Sequence, residues 1–224
     1  MDSADSSAFG PSELGNKQYW ENVYERDNIN FKENGDIGEI WFGESSAKKI
    51  VNWICSRVKD YSVPILDLGC GNGHILVSLA SNGYTNLTGT DYSPNAIELA
   101  REICAKQNFD INYHIFDLLA DEDSNIFNGQ LFDIVIDKGT YDAISLNAEV
   151  IEMRKSGVDP YVRKVRKFCK GDAYFIITSC NWTKDELVDK FKEGFNYHSI
   201  IKHPTFTFGG VTGQTISTVV FTPK

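Results

Sequence analysis

The feature that most constrains this chain is a repeated change of hydrophobic period, in which short apolar runs alternate with segments of helical spacing. Apolar runs stand at residues 63–68, 87–90, 111–116, 132–136 and 173–178. Helical spacing is found at residues 75–80, 96–106, 158–168 and 184–191. Because parallel neighbours need a crossover connection, this alternation predicts an α/β fold, a parallel sheet with helices on both faces.

The carboxyl-terminal segment departs from this alternation. Two further apolar runs, at residues 197–201 and 216–221, are joined by a glycine-rich segment that leaves no room for a helix. Strands joined so closely must be antiparallel, so the predicted architecture is a parallel sheet closed by one hairpin. Residues 1–15 are rich in Ser, Gly, Asp and Pro and predict a disordered tail. We expect residues 16–224 to form a single domain that includes an N-terminal lid segment, 16–48.

The composition excludes several classes of protein. The formal net charge is −9, which argues against a protein that grips nucleic-acid phosphates. The five cysteines show neither a CxxC pair nor metal-ligand spacing, so we predict reduced thiols and no metal site. No run approaches the roughly 20 apolar residues that span a bilayer. We therefore expect a monomeric cytoplasmic protein, with the nucleus as a second location, that binds neither nucleic acid nor membrane.

Four acids fall at or near predicted strand ends: Asp67, Asp91, Asp117 and Asp137. In an open α/β sheet, ligands collect outside the carboxyl ends of the strands, near the point where strand order reverses. Four carboxylates at this edge make a poor site for a phosphate-rich ligand such as ATP.

The turn after the first strand reads DLGCGNGH at residues 67–74. It has neither the G-x-G-x-x-G spacing of a dinucleotide fingerprint nor the Gly-Lys-Ser/Thr of a Walker motif. Its alternating glycines still let the backbone approach a ligand closely, and the next helix directs free N–H groups at the turn. A small carboxylate suits this place, and a purely structural tight turn is the alternative.

The acids of the second and third strands suit a nucleoside. Asp91 can accept two hydrogen bonds from a ribose diol, or it can cap the helix near Pro94, for which Ser93 is the better candidate. Asp117 can accept a hydrogen bond from an adenine amino group, with Leu118 as an apolar wall for the ring. Capping of the following turn is the alternative role for Asp117.

Three segments, ILDLGCGNG at 65–73, TDYS at 90–93 and FDL at 116–118, resemble the motifs of class I S-adenosylmethionine-dependent methyltransferases. The resemblance covers about residues 50–222 and implies a Rossmann-like, seven-stranded sheet in the order 3-2-1-4-5-7-6, with the last strand antiparallel. It also implies S-adenosyl-L-methionine as cofactor, with its methionine part on the glycine turn, its ribose at Asp91 and its adenine at Asp117 and Leu118. The predicted cofactor-binding residues are Asp67, Gly69, Cys70, Gly71, Asp91, Tyr92, Asp117, Leu118, Asp137 and Trp41.

Four segments outside these motifs carry a narrower resemblance: YWENVY at 19–24, GEIWFG at 38–43, DKGTYD at 137–142 and ITSCNWT at 177–183. They resemble the lysine methyltransferases of translation elongation factor 1-alpha, the type called methyltransferase-like protein 10. This resemblance implies a lysine of elongation factor 1-alpha as the methyl acceptor. An acidic protein also attracts a basic partner over long range.

Asp137 and Tyr141 are the predicted catalytic residues. By fold geometry Asp137 faces the donor methyl and orients the acceptor amine, with Tyr141 as a wall or hydrogen-bond partner. The alternative for Asp137 is that its side chain caps the next turn. The aromatic residues between positions 20 and 42, Trp41 among them, either pack the core or form a channel for a lysine stem. A small-molecule methyltransferase and a non-catalytic activator of a partner methyltransferase are the competing functions.

Overall fold

The computed structural model describes residues 10–119, 126–155, 159–204, 206–208, 211–213 and 215–224. The strands are β1 (Ile65–Leu68), β2 (Leu87–Asp91), β3 (Asn112–Ile115), β4 (Phe132–Lys138), β5 (Cys169–Ser179), β6 (Phe195–Ile201), β7 (Phe206–Phe208), β8 (Val211–Gly213) and β9 (Ser217–Pro223). Seven of them form one sheet in the order β3-β2-β1-β4-β5-β9-β6. The pairs among β1 to β5 are parallel, and β9 is antiparallel to both β5 and β6. The predicted seven-stranded sheet with an antiparallel last strand is confirmed.

Eight α-helices lie in the described part of the chain. They are α1 (Lys17–Asn34), α2 (Gly43–Arg57), α3 (His74–Ser81), α4 (Pro94–Lys106), α5 (Thr140–Ser145), α6 (Ala148–Lys155), α7 (Pro160–Phe168) and α8 (Lys184–Phe191). Among the residues that the structure describes, no helix is both long and apolar enough to cross a membrane.

The sheet separates two hydrophobic cores. Helices α1 to α4 pack with Ile65, Ile134 and Ile176 on one face, and α5, α7 and α8 pack with Leu66 and Val135 on the other. Successive strand residues point to opposite faces, so a parallel strand covered on both sides reads as a continuous apolar run. This layering leaves the carboxyl edge free to build a site.

The structure adds elements that the sequence pattern did not predict. Helices α5 and α6 and the small hairpin β7-β8 were not predicted. Of the predicted tail, residues 1–9 lie outside the described residues. Residues 13–15 form a 3-10 turn, and just before it the Ser12 N–H donates to the Leu146 carbonyl at 3.3 Å. This contact brings the amino-terminal segment across the carboxyl edge of the sheet.

Candidate active site

The carboxyl edge of the sheet opens into a cleft made of two adjoining cavities. The first lies over the ends of β1, β2, β4 and β5 and holds about 1040 Å³ of empty space, including the part open to solvent. The second lies on the β3 side. Seven residues line both cavities: Leu14, Trp20, Gly69, Asp91, Tyr92, Thr140 and Ala143. The cleft is thus continuous, and it lies between β1 and β4, where the strand order reverses.

The glycine turn after β1 brings backbone to the floor of the first cavity. Gly69 and Gly71 have φ angles of 62° and 52°, in the left-handed region. A Cβ at Gly69 would lie 2.1 Å from Thr140 Oγ1, and a Cβ at Gly71 would lie 2.5 Å from the Tyr24 hydroxyl. Both the conformation and the close approach therefore require glycine.

Asp91 lies at the end of β2, directly beside this turn. Its carboxylate accepts the Gly71 N–H at 3.1 Å and the Ser93 N–H at 3.0 Å. Burial raises the pKa of Asp91 to about 6, against the opposing effect of these hydrogen bonds. The helix cap of α4 is Ser93, whose hydroxyl accepts the Ala96 N–H at 3.1 Å. Asp91 is therefore not that cap, and its carboxylate lines both cavities.

Asp67 is a second buried acid on the floor of the first cavity. Burial raises its pKa to about 7, although the nearby Lys138 ammonium favours the charged form. Lys138 itself donates to the Trp41 carbonyl at 3.0 Å, which ties the end of β4 to the segment before α2. Cys70 lines the same cavity, and its N–H donates to the Thr90 carbonyl at 2.8 Å.

The second cavity contains the residues predicted for adenine. Asp117 and Leu118 line it together with Tyr92, whose buried hydroxyl has no hydrogen-bond partner among the described residues. Asp117 accepts the Leu119 N–H at 2.9 Å, which is the capping alternative, and it also forms an ion pair with Lys17. The turn cap considered for Asp117 is thus present, and its half-buried carboxylate also lines the cavity, where contact with adenine stays a prediction.

Aromatic rings form the wall of the cleft on the side of α1. Trp20, Tyr24, Trp41 and Phe42 all line the first cavity. The Trp20 ring contacts the Trp41 ring edge to face at a centroid distance of 4.9 Å and stacks on Tyr24 at 6.2 Å. Its indole N–H donates to the Leu14 carbonyl at 2.7 Å. The rings therefore pack on one another and face the cleft at the same time.

Asp137 is placed where the alternative interpretation put it. Its carboxylate accepts the N–H groups of Thr140 at 3.0 Å and Tyr141 at 2.9 Å, and it also accepts the Tyr161 hydroxyl. The side chain is fully buried and does not line either cavity. Burial raises its pKa to about 8. Asp137 therefore caps the start of α5, and its carboxylate is not exposed to the cleft in this structure.

Tyr141, predicted as a wall or hydrogen-bond partner of the acceptor amine, lines neither cavity in this structure. Its ring is fully buried in the core formed by α5, α7 and α8, and its hydroxyl donates to Asp159 at 2.9 Å. The Arg154 guanidinium lies 4.8 Å from the ring centroid. Because α5 begins directly after the bend at Gly139, position 141 points into the core while position 142 faces the cleft.

Among the cleft residues that the sequence analysis missed, four lie at or closely after the ends of β4 and β5: Lys138, Asp142, Cys180 and Asn181. They belong to the segments DKGTYD and ITSCNWT, whose resemblance to a lysine methyltransferase family was noted. The rule that ligands lie beyond the carboxyl ends of strands could have found them. In the described ranges, no group of three or more His, Cys, Asp or Glu side chains is placed to hold a metal ion.

Comparison with known proteins agrees with this architecture. A family model described as a methyltransferase domain matches residues 59–220. The chain is similar to the crystal structure of a TehB-like SAM-dependent methyltransferase from Corynebacterium glutamicum, with a TM-score of 0.60 and 20% identity, over 93% of this chain and 100% of that chain. At this identity the similarity is one of fold. The strand order, the site at its reversal and the domain match define a class I methyltransferase.

Two relatives define the family more closely. The chain is 44% identical over 217 residues to EEF1A lysine methyltransferase 2 of Danio rerio, covering 96% of this chain and 90% of the relative. It is 40% identical over 232 residues to protein-lysine N-methyltransferase efm4 of Schizosaccharomyces pombe, covering 96% of each. The chain belongs to this family of protein-lysine methyltransferases. The resemblance drawn from the sequence motifs is confirmed.

Proposed function

We propose that this chain transfers a methyl group from S-adenosyl-L-methionine to a lysine side chain of translation elongation factor 1-alpha. The observation that carries the proposal is its 44% identity to EEF1A lysine methyltransferase 2 over nearly the whole of both chains. The cleft supports it independently, because its residues suit both the cofactor and a cationic acceptor.

The cleft fits the parts of the cofactor one by one. The glycine turn offers backbone to the methionine carboxylate, and the buried Asp67, with a pKa of about 7, lacks a full counter-charge that an amino group would supply. Each oxygen of Asp91 accepts one backbone N–H and keeps a lone pair for a ribose hydroxyl. In the second cavity, the buried Tyr92 hydroxyl without a partner marks a place where a polar ligand is expected.

When bound, the cofactor supplies an electrophilic methyl group, and the chain supplies alignment and exclusion of water. The acceptor lysine, with a pKa near 10.4, must first lose a proton, which costs about 4 kcal/mol near pH 7.4. The aromatic wall of Trp20, Trp41 and Phe42 withholds solvation from the ammonium and so lowers this cost. The faces of these rings also attract the ammonium electrostatically, which partly compensates the lysine for its lost hydration.

The direct experiment is incubation of the protein with labelled S-adenosyl-L-methionine and purified elongation factor 1-alpha, followed by mass spectrometry. We expect a mass increase of whole methyl groups on a lysine. The Asp91→Ala variant, which removes the proposed ribose ligand, serves as the negative control. If elongation factor 1-alpha stays unlabelled while other proteins of a cell lysate are labelled, the proposed substrate is wrong but the proposed reaction, protein methylation, still holds.

The same lysate separates the competing functions. Label found in small molecules alone would make the chain a small-molecule methyltransferase, since the cofactor half of the site would look the same. Methylation that persists with Asp91→Ala would favour a non-catalytic activator of a partner enzyme. We further propose a cytoplasmic monomer that binds no nucleic acid, to be checked by cell fractionation, size-exclusion chromatography and a gel-shift assay with RNA.

A further inference from the structure

Four acids line the first cavity: Glu39, Asp67, Asp91 and Asp142. Asp67 and Asp91 lie on the side of the glycine turn, where the proposed cofactor binds. Glu39 is exposed at the mouth of the cleft. Asp142 is 6% exposed and lines the cavity at the ends of β4 and β5, with no role in the site described so far. Burial of a carboxylate is costly unless it is paired, so a buried acid that lines a cleft is a candidate for binding a ligand.

The position of Asp142 in α5 makes its orientation unusual. It is the third residue of the helix, where an acid commonly reaches back to the backbone N–H of the cap residue. Here the Gly139 N–H donates instead to the Thr178 carbonyl at 3.0 Å, and Asp137 accepts the first free N–H groups of the helix. Asp142 is therefore not used for capping. Its side chain extends across to the end of β5.

Two donors at the end of β5 fix the carboxylate. Asp142 Oδ1 accepts the Ser179 hydroxyl at 2.5 Å, and Oδ2 accepts the Cys180 N–H at 2.8 Å. Burial raises the pKa of Asp142, and these hydrogen bonds oppose that rise by stabilising the charged form. Two further donors, the Cys180 thiol and the Asn181 N–H, also stabilise the charged carboxylate. Asn181 lines the cavity directly beside this pair.

Resting on the proposed function, we propose that Asp142, held by Ser179 and Cys180, binds the acceptor ammonium and then orients the neutral amine. The lysine ammonium enters past the aromatic wall and pairs with the carboxylate. Its proton leaves to solvent, and the two remaining N–H groups stay directed at the carboxylate oxygens. The nitrogen lone pair then points to the methyl group. As the N–C bond forms the S–C bond breaks, and the positive charge of the sulfonium passes to the methylated ammonium.

The two acids after β4 thus have different tasks. Asp137 is fully buried, accepts three donors from the protein and stabilises the start of α5. Asp142 is held by donors at the end of the neighbouring strand and lines the first cavity. Paired acids in unlike environments commonly divide structural and chemical roles in this way.

The test compares Asp142→Asn with the wild type on elongation factor 1-alpha. Asparagine keeps the shape and can still accept the Cys180 N–H, but it loses the bond to Ser179, whose Oγ already accepts the N–H groups of Asn181 and Trp182. The midpoint of thermal unfolding is therefore measured alongside the kinetics. We expect a roughly 10- to 100-fold loss of kcat/KM, the range for a charged hydrogen bond. The dissociation constant for S-adenosylhomocysteine, measured by calorimetry, should stay within about twofold. Asp172→Asn, the same change at an exposed position near the start of β5, is the matched control.

A pH profile distinguishes this role from a structural one. A carboxylate beside the bound lysine favours the ammonium, so its removal should lower the pKa of the bound lysine. The acid limb of kcat is then expected to move about one pH unit lower in Asp142→Asn, while the plateau falls. Ser179→Ala, which removes one of the two donors, should give an intermediate loss of kcat/KM.

Three outcomes would overturn the inference. They are an unchanged kcat/KM, a loss of cofactor affinity that matches the loss of activity, and an acid limb that does not move. The proposed function is judged separately, by the activity of the wild type on elongation factor 1-alpha. If another protein proves to be the substrate, the ratio of variant to wild type on that protein tests the inference equally.

Discussion

Lys17 forms an ion pair with Asp117, so the start of α1 closes over the cavity at the end of β3. The segment before α1 is fastened to the two residues that follow α5. The Ser12 N–H donates to the Leu146 carbonyl, and the Asn147 amide donates to the Gly15 carbonyl at 3.1 Å. This segment, residues 12–17, forms a strap across the proposed adenine and ribose site.

If the strap covers the cofactor, weakening it should speed release of the product. Asn147→Ala removes the hydrogen bond to Gly15, which is worth about 0.5 to 1.5 kcal/mol, so dissociation of S-adenosylhomocysteine should accelerate about 2- to 10-fold. Stopped-flow fluorescence measures this rate, with Asp172→Ala as a control far from the strap. An unchanged dissociation rate would show that the strap does not hold the ligand.

Asp91→Ala should weaken binding of S-adenosyl-L-methionine by about 1 to 3 kcal/mol, the typical cost of losing charge-assisted hydrogen bonds. The variant also frees the N–H of Gly71, which loosens the glycine turn. Isothermal titration calorimetry gives the affinity directly. An affinity equal to that of the wild type would contradict the proposal that Asp91 binds the ribose.

Gly69→Ala should destabilise the fold through both strain and collision. A left-handed conformation costs a residue with a side chain about 1 to 3 kcal/mol, and the new Cβ would lie 2.1 Å from Thr140 Oγ1. Gly129→Ala is a matched control, since Gly129 has a φ of 80° but no atom within 4 Å of the added Cβ. At about 2 to 4 °C per kcal/mol, the midpoint of thermal unfolding should fall by several degrees, and further for Gly69 than for Gly129. Equal falls in the unfolding midpoint for the two variants would mean that the turn accommodates the contact between the new Cβ and Thr140.

The stability of the ligand-free protein should fall as pH rises from about 6.5 to about 8. Burial raises the pKa of Asp67 to about 7 and that of Asp137 to about 8, so the folded state binds more protons in this range than the unfolded state, in which Asp has a pKa near 3.9. The free energy of unfolding therefore decreases as these acids ionise. His74 and His203 have lowered pKa values and act in the opposite direction, but only below about pH 6.5.

Denaturant unfolding across this range measures the slope. Asp137→Asn should flatten it by up to one proton, whereas the exposed Asp172→Asn should leave it unchanged. A wild-type slope of zero between these pH values would contradict the assignment of Asp137 as a buried acid with a raised pKa.

The sheet was predictable because parallel strands, buried on both faces, leave long apolar runs in the sequence. Helix α5 was not, because its cap comes from outside the helix. Gly139 offers no side chain to the first turn, and Asp137, from the preceding strand, accepts the free N–H groups. A capping signal placed before a glycine bend does not match the usual pattern of a cap immediately before its helix.

The candidate site likewise contains residues that the sequence predicts and residues that it does not. Six predicted residues lie within or directly after the ends of β1 and β2, so the topology places them at the carboxyl edge of the sheet. They are Asp67, Gly69, Cys70, Gly71, Asp91 and Tyr92. The choice between Asp137 and Asp142 does not follow from the topology, because one bend decides which acid faces the core and which the cleft. Strap contacts such as Lys17 with Asp117 span 100 residues and leave no periodic signal in the sequence.

Helix α5 has six residues and takes part in every portion of the cleft: Thr140 meets the glycine turn, Asp142 faces the acceptor side, and Ala143 lines both cavities. Any tilt of this short helix would therefore move the proposed cofactor subsite and the proposed lysine subsite together. A substitution that shifts the backbone of α5 is therefore expected to change cofactor affinity and turnover of the acceptor together.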